Sequence, residues 1–387
     1  MDSNNRSNGT ELGDIFRKYG RSYREANMLL LYKLKSMSAI EQCRTSALGG
    51  HADECDSCGH IRISYNSCRN RHCPKCQSFA KEEWIENRKK ELLPITYFHI
   101  VFTIPDSLNR ITLVNQKVIY DILLKSAKET LIELGKDPKH LGAEIGIIAI
   151  LHTWGQNLMD HPHVHCIVTG GGLSKDGKEW LKPKKAKKKD FFIHVNIISD
   201  LFKKKFLAYL KKAYSNDELK LVGEIATLGN KENFQELIDE LYDEKWITYC
   251  KKSFGGPEHI IEYFGRYTHR VAISNNRIIK IENGKVSFLW RDYRDGNKNK
   301  IMVLDVFEFI RRFLLHILPN GFFKIRYYGI LSSRYKNEKL EKCREILDFD
   351  FNDLNIFEAE SWKDLYFKLT GNDLRICPVC KKGNMIC

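Results

Sequence analysis

No stretch of the chain approaches the roughly 18 consecutive apolar residues that a membrane-crossing helix needs, which excludes a spanning helix. The opening residues, MDSNNRSNGTE, lack the apolar core of a secretory signal, so a cytoplasmic setting is expected. Acidic residues are the scarcer charge: 49 Asp and Glu stand against 63 Lys and Arg, a net +14, with an isoelectric point near 9.1. That excess favours a polyanionic partner. No internal repeat is visible. What the chain does have is 387 residues, 43 % apolar and 29 % charged. This supports a real core and two or three domains rather than disorder.

In a reducing compartment the twelve cysteines need an explanation other than structural disulfides. Cys55-x-x-Cys58 and Cys73-x-x-Cys76 are separated by fourteen residues, a spacing that suits one tetrahedral zinc ion. Four protein ligands leave no open position, so such an ion is structural. Cys43, His51, Cys68 and His72 remain in the same stretch. Either they complete a second Cys2His2 site, or one of them substitutes in the first. Cys166, Cys250 and Cys343 stand alone and read as buried small apolar residues. Cys377-x-x-Cys380 with Cys387 offers only three thiols, so a complete site there needs a ligand from elsewhere. Arg69, Arg71 and Lys75 supply basic groups for nucleic acid.

Hydrophobic periodicity predicts a loose tail to about residue 15, a helix over 24–42 and a charged helix over 78–93. A strand is expected over 95–104 and a helix over about 107–134. Residues 145–154 and 163–170 read as an antiparallel hairpin. The lysine-dense stretch 175–190, with Lys184, Lys185, Lys187 and Lys188, reads as a basic loop able to contact DNA. Helical patterns fill much of 199–252, and Pro257 opens a helix over about 257–268. Strands are expected over 270–275, 277–282 and 285–290, the last two joined by Asn283-Gly284. A helix near 302–317, a strand near 322–330 and a tail complete the chain. The fold class is α+β: an antiparallel sheet with packed helices, plus a small N-terminal zinc-binding domain. The boundaries are 1–93, 94–335 and 336–387.

Two constellations carry chemistry. In His161-Pro-His163-Val-His165, strand alternation points His163 and His165 to one face. Two such imidazoles can converge on a divalent ion, with His152 as third ligand if the register brings it alongside; Gln156 and His161 compete for that role. Nitrogen donors and vacant positions suit a catalytic ion, Mg²⁺ or Mn²⁺, with Mn²⁺ the better match. In Tyr263-Phe264-Gly265-Arg266-Tyr267 the two phenols lie one helical turn apart, amid Arg266, His269 and Arg270. Periodicity alone does not separate a nucleophile pair from a packing stripe.

CRNRHCPKCQ (68–77), YFHIVFTIP (97–105), HTWGQNLMDHPHVHCIVTGGG (152–172) and EYFGRYTHRVAISNNRI (262–278) together resemble the insertion-sequence-ninety-one family. These are bacterial rolling-circle transposases with two tyrosines, within the His-hydrophobe-His endonuclease superfamily. The resemblance runs in order from about residue 40 to 290, and the final CPVC is similar to that family's C-terminal end. It implies nicking and rejoining of single-stranded DNA through a 5′-phosphotyrosine, with Tyr263 and Tyr267 as nucleophiles and His163 and His165 as metal ligands. The implied partners are single-stranded DNA, element terminal hairpins and target DNA; the implied location is the bacterial nucleoid. Rival readings are a replication initiator or relaxase with the same chemistry, a non-catalytic zinc-ribbon regulator, and a hydrolytic metallonuclease.

Overall fold

A computed structural model describes residues 9–183, 193–252, 265, 267–293, 295–349 and 361–387. Its strands, in chain order, are β1 (Gly50–Cys55), β2 (Ile61–Tyr65), β3 (Tyr97–Thr103), β4 (Ala143–Glu144), β5 (Gly146–Trp154), β6 (Asp160–Thr169) and β7 (Gly172–Ser174). They continue with β8 (Trp180–Leu181), β9 (Thr248–Lys252), β10 (Ile278–Glu282), β11 (Lys285–Asp292), β12 (Lys298–Asp305), β13 (Ile325–Gly329) and β14 (Met385–Ile386). The chain is α+β, as expected. No helix among the described residues is long and apolar enough to cross a membrane.

At the centre lies a five-stranded antiparallel sheet in the order β13-β5-β6-β3-β9. β5 and β6 are buried along almost their whole length, which explains their near-continuous apolar sequence. Alternation divides their side chains. Ile100, Phe102, Ile147, Ala149, Leu151, Val164, Cys166 and Val168 belong to the main core, together with the helices Gln116–Lys136 and Val195–Ser215. The residues between them, including His99, His152, His163 and His165, point to the opposite face. There Ile148, Ile150 and Ile167 pack with Trp84 and Ile85 of the helix Pro74–Lys89.

A second sheet, β10-β11-β12, is turned by Asn283-Gly284, both at positive φ as a tight hairpin requires. It packs with the helix Val306–Leu315 and with two helices from the start of the chain, Leu12–Ala26 and Leu31–Gln42. Phe16 meets Phe313 edge-on at 5.7 Å, and Tyr23 meets Phe307 at 5.3 Å.

The structure corrects several expectations. The tail ends earlier than expected: Glu11 and Asp14 form a capping box, and Leu12, Ile15, Phe16 and Tyr23 line one buried face. The expected 24–42 helix breaks at 27–30, and the second helix folds back so that Met37 meets Gly20. Residues 298–305 form a strand instead of the start of a helix. Ile301 and Val303 are exposed while Met302 and Leu304 face the core, and Asp305 then caps the helix by accepting from the Phe307 N–H at 2.8 Å. Residues 270–275 form no strand, because Ala272 and Ile273 are taken into the second core on the way to a short turn. The C-terminus is not a tail: β14 pairs with β1, making the three-stranded sheet β14-β1-β2.

Candidate metal centres and nucleic-acid interface

Two four-thiol clusters stand where one four-cysteine site and a possible second Cys2His2 site were expected. Cys43, Cys68, Cys73 and Cys76 form one; Cys55, Cys58, Cys377 and Cys380 form the other. The expected grouping of Cys55 and Cys58 with Cys73 and Cys76 fails for a geometric reason. β1 and β2 form a hairpin whose base is held by Arg44 N–H donating to Asn66 O at 3.1 Å, between Cys43 and Cys68. Cys55 and Cys58 sit at its tip, five or six residues further along strands that rise about 3.4 Å per residue. No single ion spans that length.

In the base cluster, Cys43–Cys76, Cys68–Cys76 and Cys43–Cys73 each have Sγ atoms 3.6 Å apart. A zinc tetrahedron with bonds of about 2.3 Å has edges of about 3.8 Å, so the donors are already set at nearly the required spacing. Hydrogen bonds within the cluster lower the Cys43 thiol and raise those of Cys68 and Cys73, as expected of thiols that share protons at close range. His51 and His72, the other candidates, do not join. His72 Nε2 accepts from the Leu318 N–H at 3.3 Å, and the half-exposed His51 lies 4.0 Å from Asp53.

The second centre is made of imidazoles. The register of β5 on β6 sets His152 directly opposite His163 and Ile150 opposite His165. Ligand atoms of His152, His163 and His165 all lie within 4.8 Å of one another. The register shifts between His152 and Trp154, and Pro162 falls in this irregular stretch, where its missing N–H is tolerated. Tautomers are set by partners that can only accept. His163 Nδ1 donates to His161 O at 2.7 Å, leaving Nε2 with a lone pair; His152 Nε2 donates to Tyr267 O at 2.6 Å, leaving Nδ1. Burial first, then neighbouring histidines, holds His152 and His165 well below the usual range and His163 down to about 3. All three are neutral, as ligands must be. Gln156 instead bonds Tyr293 at 3.2 Å, and His161 lies half-exposed 3.8 Å from Asp106.

Sequence reasoning missed two groups here. His99 on β3 meets His165 through a 2.8 Å bond between His99 Nε2 and His165 Nδ1. A lone histidine within YFHIVFT was its only signal. Lys324, held down to about 8 by burial and by Arg71, approaches Arg270 O at 3.5 Å. Nothing in its sequence neighbourhood marks it.

Tyr267 is the described phenol. Its ring lies 4.4 Å from that of His165 and 5.1 Å from that of His99. Two residues before it, Gly265 packs closely on the helix Pro74–Lys89: a Cβ there would lie 2.4 Å from Ile85 Cδ1. Tyr263 and Arg266 lie outside the described residues, as do Lys184, Lys185, Lys187 and Lys188. Among the other basic candidates, Arg71 donates to the carbonyls of Leu318, Pro319 and Phe322, and Lys75 pairs with Glu11 at 2.5 Å. Both side chains are engaged within the fold. Arg69 is exposed; His269 packs against Trp84 and is lowered to about 4 by burial and Lys324. Arg270 lies near enough to the histidine cluster to depress all three rings.

Comparison with known proteins bears on the whole chain. Residues 146–339 match a family described as "Putative transposase", and residues 15–104 match a "Transposase zinc-binding domain" of the insertion-sequence-ninety-one type. The chain is similar to the "Putative transposase y4qJ" of Sinorhizobium fredii (strain NBRC 101917 / NGR234), 48 % identical over 98 % of this chain and 94 % of that protein. It is also similar to the "Transposase for insertion sequence element IS801" of Pseudomonas savastanoi pv. phaseolicola, 28 % identical over 81 % and 74 %. No solved structure matches. The zinc-binding match covers the whole of the base thiol cluster, which is a structural zinc site, and the transposase match covers β5, β6 and the histidines. The chain belongs to the insertion-sequence-ninety-one family of transposases, enzymes that cut and transfer DNA strands.

Proposed function

We propose that this transposase nicks and rejoins single-stranded DNA at the ends of its element in rolling-circle transposition, through 5′-phosphotyrosine linkages on Tyr267 and Tyr263. The observation that supports this reading is the seat of Tyr267, whose ring lies 4.4 Å from His165 and whose carbonyl is held by His152. A tyrosine thus lies directly against a cluster of lone-pair-bearing imidazoles. Tyr263 precedes it by one helical turn in sequence.

His152, His163 and His165 would hold a divalent cation, Mn²⁺ or Mg²⁺, whose chemistry when bound is to draw charge from the oxygens of the scissile phosphate. Arg270 and Lys324 add positive field on the same side and attract the phosphate. The phenol oxygen of Tyr267, its proton lost to solvent, attacks phosphorus. The bond from phosphorus to the 3′ oxygen breaks, and that oxygen takes a proton and leaves as a 3′-hydroxyl. One phosphodiester replaces another, so the reverse attack by a 3′-hydroxyl rejoins strands without ATP. The second phenol handles a second strand while the first is occupied. Single-stranded DNA, the terminal hairpins of the element and target DNA are the substrates. A non-catalytic regulator would need the thiols and the net charge but not dry imidazoles against a tyrosine.

The test is a single-stranded oligonucleotide carrying an element end, incubated with Mn²⁺ and resolved on a denaturing gel. Tyr267→Phe and Tyr263→Phe should each remove one strand-transfer step, and the double variant all protein-linked DNA. Undiminished adduct in the double variant, or cleavage that never yields an adduct, sinks the reading. Mass spectrometry of the DNA-linked peptide identifies the tyrosine directly.

A further inference from the structure

We propose that Cys55, Cys58, Cys377 and Cys380 hold a second zinc ion, which closes the two ends of the chain into one four-thiolate ribbon. The matched zinc-binding domain ends at residue 104, so it contains only half of this site. The donors come in two C-x-x-C turns facing each other, with Cys55 Sγ 3.7 Å from Cys380 Sγ and Cys58 Sγ 3.7 Å from Cys377 Sγ. These separations match the edge of about 3.8 Å expected for zinc on four thiolates.

Each turn is built as a metal knuckle. The Ser57 N–H points at Cys55 Sγ and the Gly383 N–H at Cys380 Sγ, both at 3.4 Å, and such bonds stabilise thiolate charge. The chain closes around them from both sides. Cys377 N–H donates to Gly383 O at 2.9 Å, while Asp56 and Asn384 exchange bonds through Asp56 N–H to Asn384 O at 3.1 Å and Asn384 N–H to Asp56 Oδ1 at 2.8 Å. Buried Arg62 adds a bond to Leu374 O at 2.9 Å while paired with Asp53. Position 383 admits only glycine: a Cβ there would lie 2.5 Å from Cys55 Sγ and 2.6 Å from Asp56 Oδ1. The apolar cluster at this site is small, Cys55, Cys377 and Met385 with Cys380 against it. So little buried surface does not hold a two-residue strand in place, and metal coordination supplies what packing lacks. The N-terminal ribbon tip therefore supplies two of the four thiolates, and the set is complete only when Cys377 and Cys380 pack against it.

Full-length protein purified under reducing conditions should contain two zinc ions per chain by plasma mass spectrometry. Cys377→Ser with Cys380→Ser should contain one, as should Cys55→Ser with Cys58→Ser, whereas Cys387→Ser keeps two. Retention of one ion by the double variants also shows that their base cluster has folded. A measurement on the unmutated chain needs no variant. Cys58 and Cys387 are both exposed, so burial cannot shield one and not the other. Cys58 should resist N-ethylmaleimide until a chelator strips the zinc, and Cys387 should react throughout. One zinc per unmutated chain, or Cys58 alkylated as fast as Cys387 before chelation, overturns the proposal.

Discussion

The base thiol cluster and the histidine cluster are both built where a β-hairpin begins or ends, yet they differ in donors and in what supports them. Cys43, Cys68, Cys73 and Cys76 bring four soft donors together from the flanks of β1 and β2 and from the first turn of the helix Pro74–Lys89. Coordination by four thiolates is complete and excludes water, so its contribution is to folding. His152, His163 and His165 bring three neutral nitrogens from the faces of two central strands that the main core already holds in place. The sheet does not need an ion to form there, and three donors leave room for a substrate oxygen. Donor number and donor softness, together with what else supports the backbone, thus distinguish the two clusters and match the structural role of the first and the catalytic role proposed for the second.

The sharpest way to break that comparison is to remove ligands from each side. His163→Ala with His165→Ala should bring nicking to background while zinc content and the cooperative unfolding transition survive. Cys73→Ser should do the reverse in kind: loss of one zinc ion and collapse of the N-terminal module, since structural zinc contributes on the order of 10 kcal/mol in small domains. Metal analysis and thermal unfolding on the same preparations decide it. If the histidine variant also loses its fold, or the cysteine variant keeps its zinc, the distinction between the two sites is wrong.

A finer test concerns what orients an imidazole. His99, lowered to about 4 by burial and by Lys251, bonds His165 Nδ1 and so helps fix which nitrogen of His165 faces the cluster. Outer partners of metal-bound histidines typically contribute 10- to 100-fold in affinity or rate. His99→Phe keeps the ring volume and should lose about that factor in Mn²⁺ affinity and in cleavage. His99→Gln, which restores a hydrogen-bonding atom, should recover part of it. Equal loss in both variants would reduce His99 to a packing residue.

How much of this was legible in the sequence follows the distance between partners. The β5–β6 hairpin, its paired histidines and the Asn283-Gly284 turn depend on neighbours a few residues apart, and alternation or turn chemistry exposes them. The placement of His152 opposite His163 was readable only as a possibility, because the irregular register near Trp154 decides it and no turn rule predicts that shift. Sorting of the cysteines was not readable at all. Spacing pairs Cys55 and Cys58 with Cys73 and Cys76 equally well, and only the length of β1 and β2 and the return of residues 377–380 separate them. Arg71 and Lys75 show the same limit for charge: their carbonyl and carboxylate partners, 247 to 251 residues away in one case and at Glu11 in the other, cannot be read from the residues beside them.

The smallest expected effect lies at Gly265, where the tyrosine segment presses on the helix that follows the base thiol cluster. A methyl group at this position would meet Ile85 Cδ1 at 2.4 Å and Cγ1 at 2.6 Å, so Gly265→Ala must push the two apart. Overpacking of this kind costs about 1–3 kcal/mol, partly offset because alanine favours a helix by about 1 kcal/mol over glycine. The net destabilisation should therefore be modest, while the displacement acts on Tyr267 two residues away and lowers adduct formation more than stability. Ile85→Ala in the same chain removes the colliding atoms and should restore adduct formation even though it leaves a small cavity of its own. Coupling of that sign between a residue of the thiol-anchored helix and one of the tyrosine segment would show that the zinc-supported module sets the position of the nucleophile. Strict additivity of the two substitutions would show that it does not.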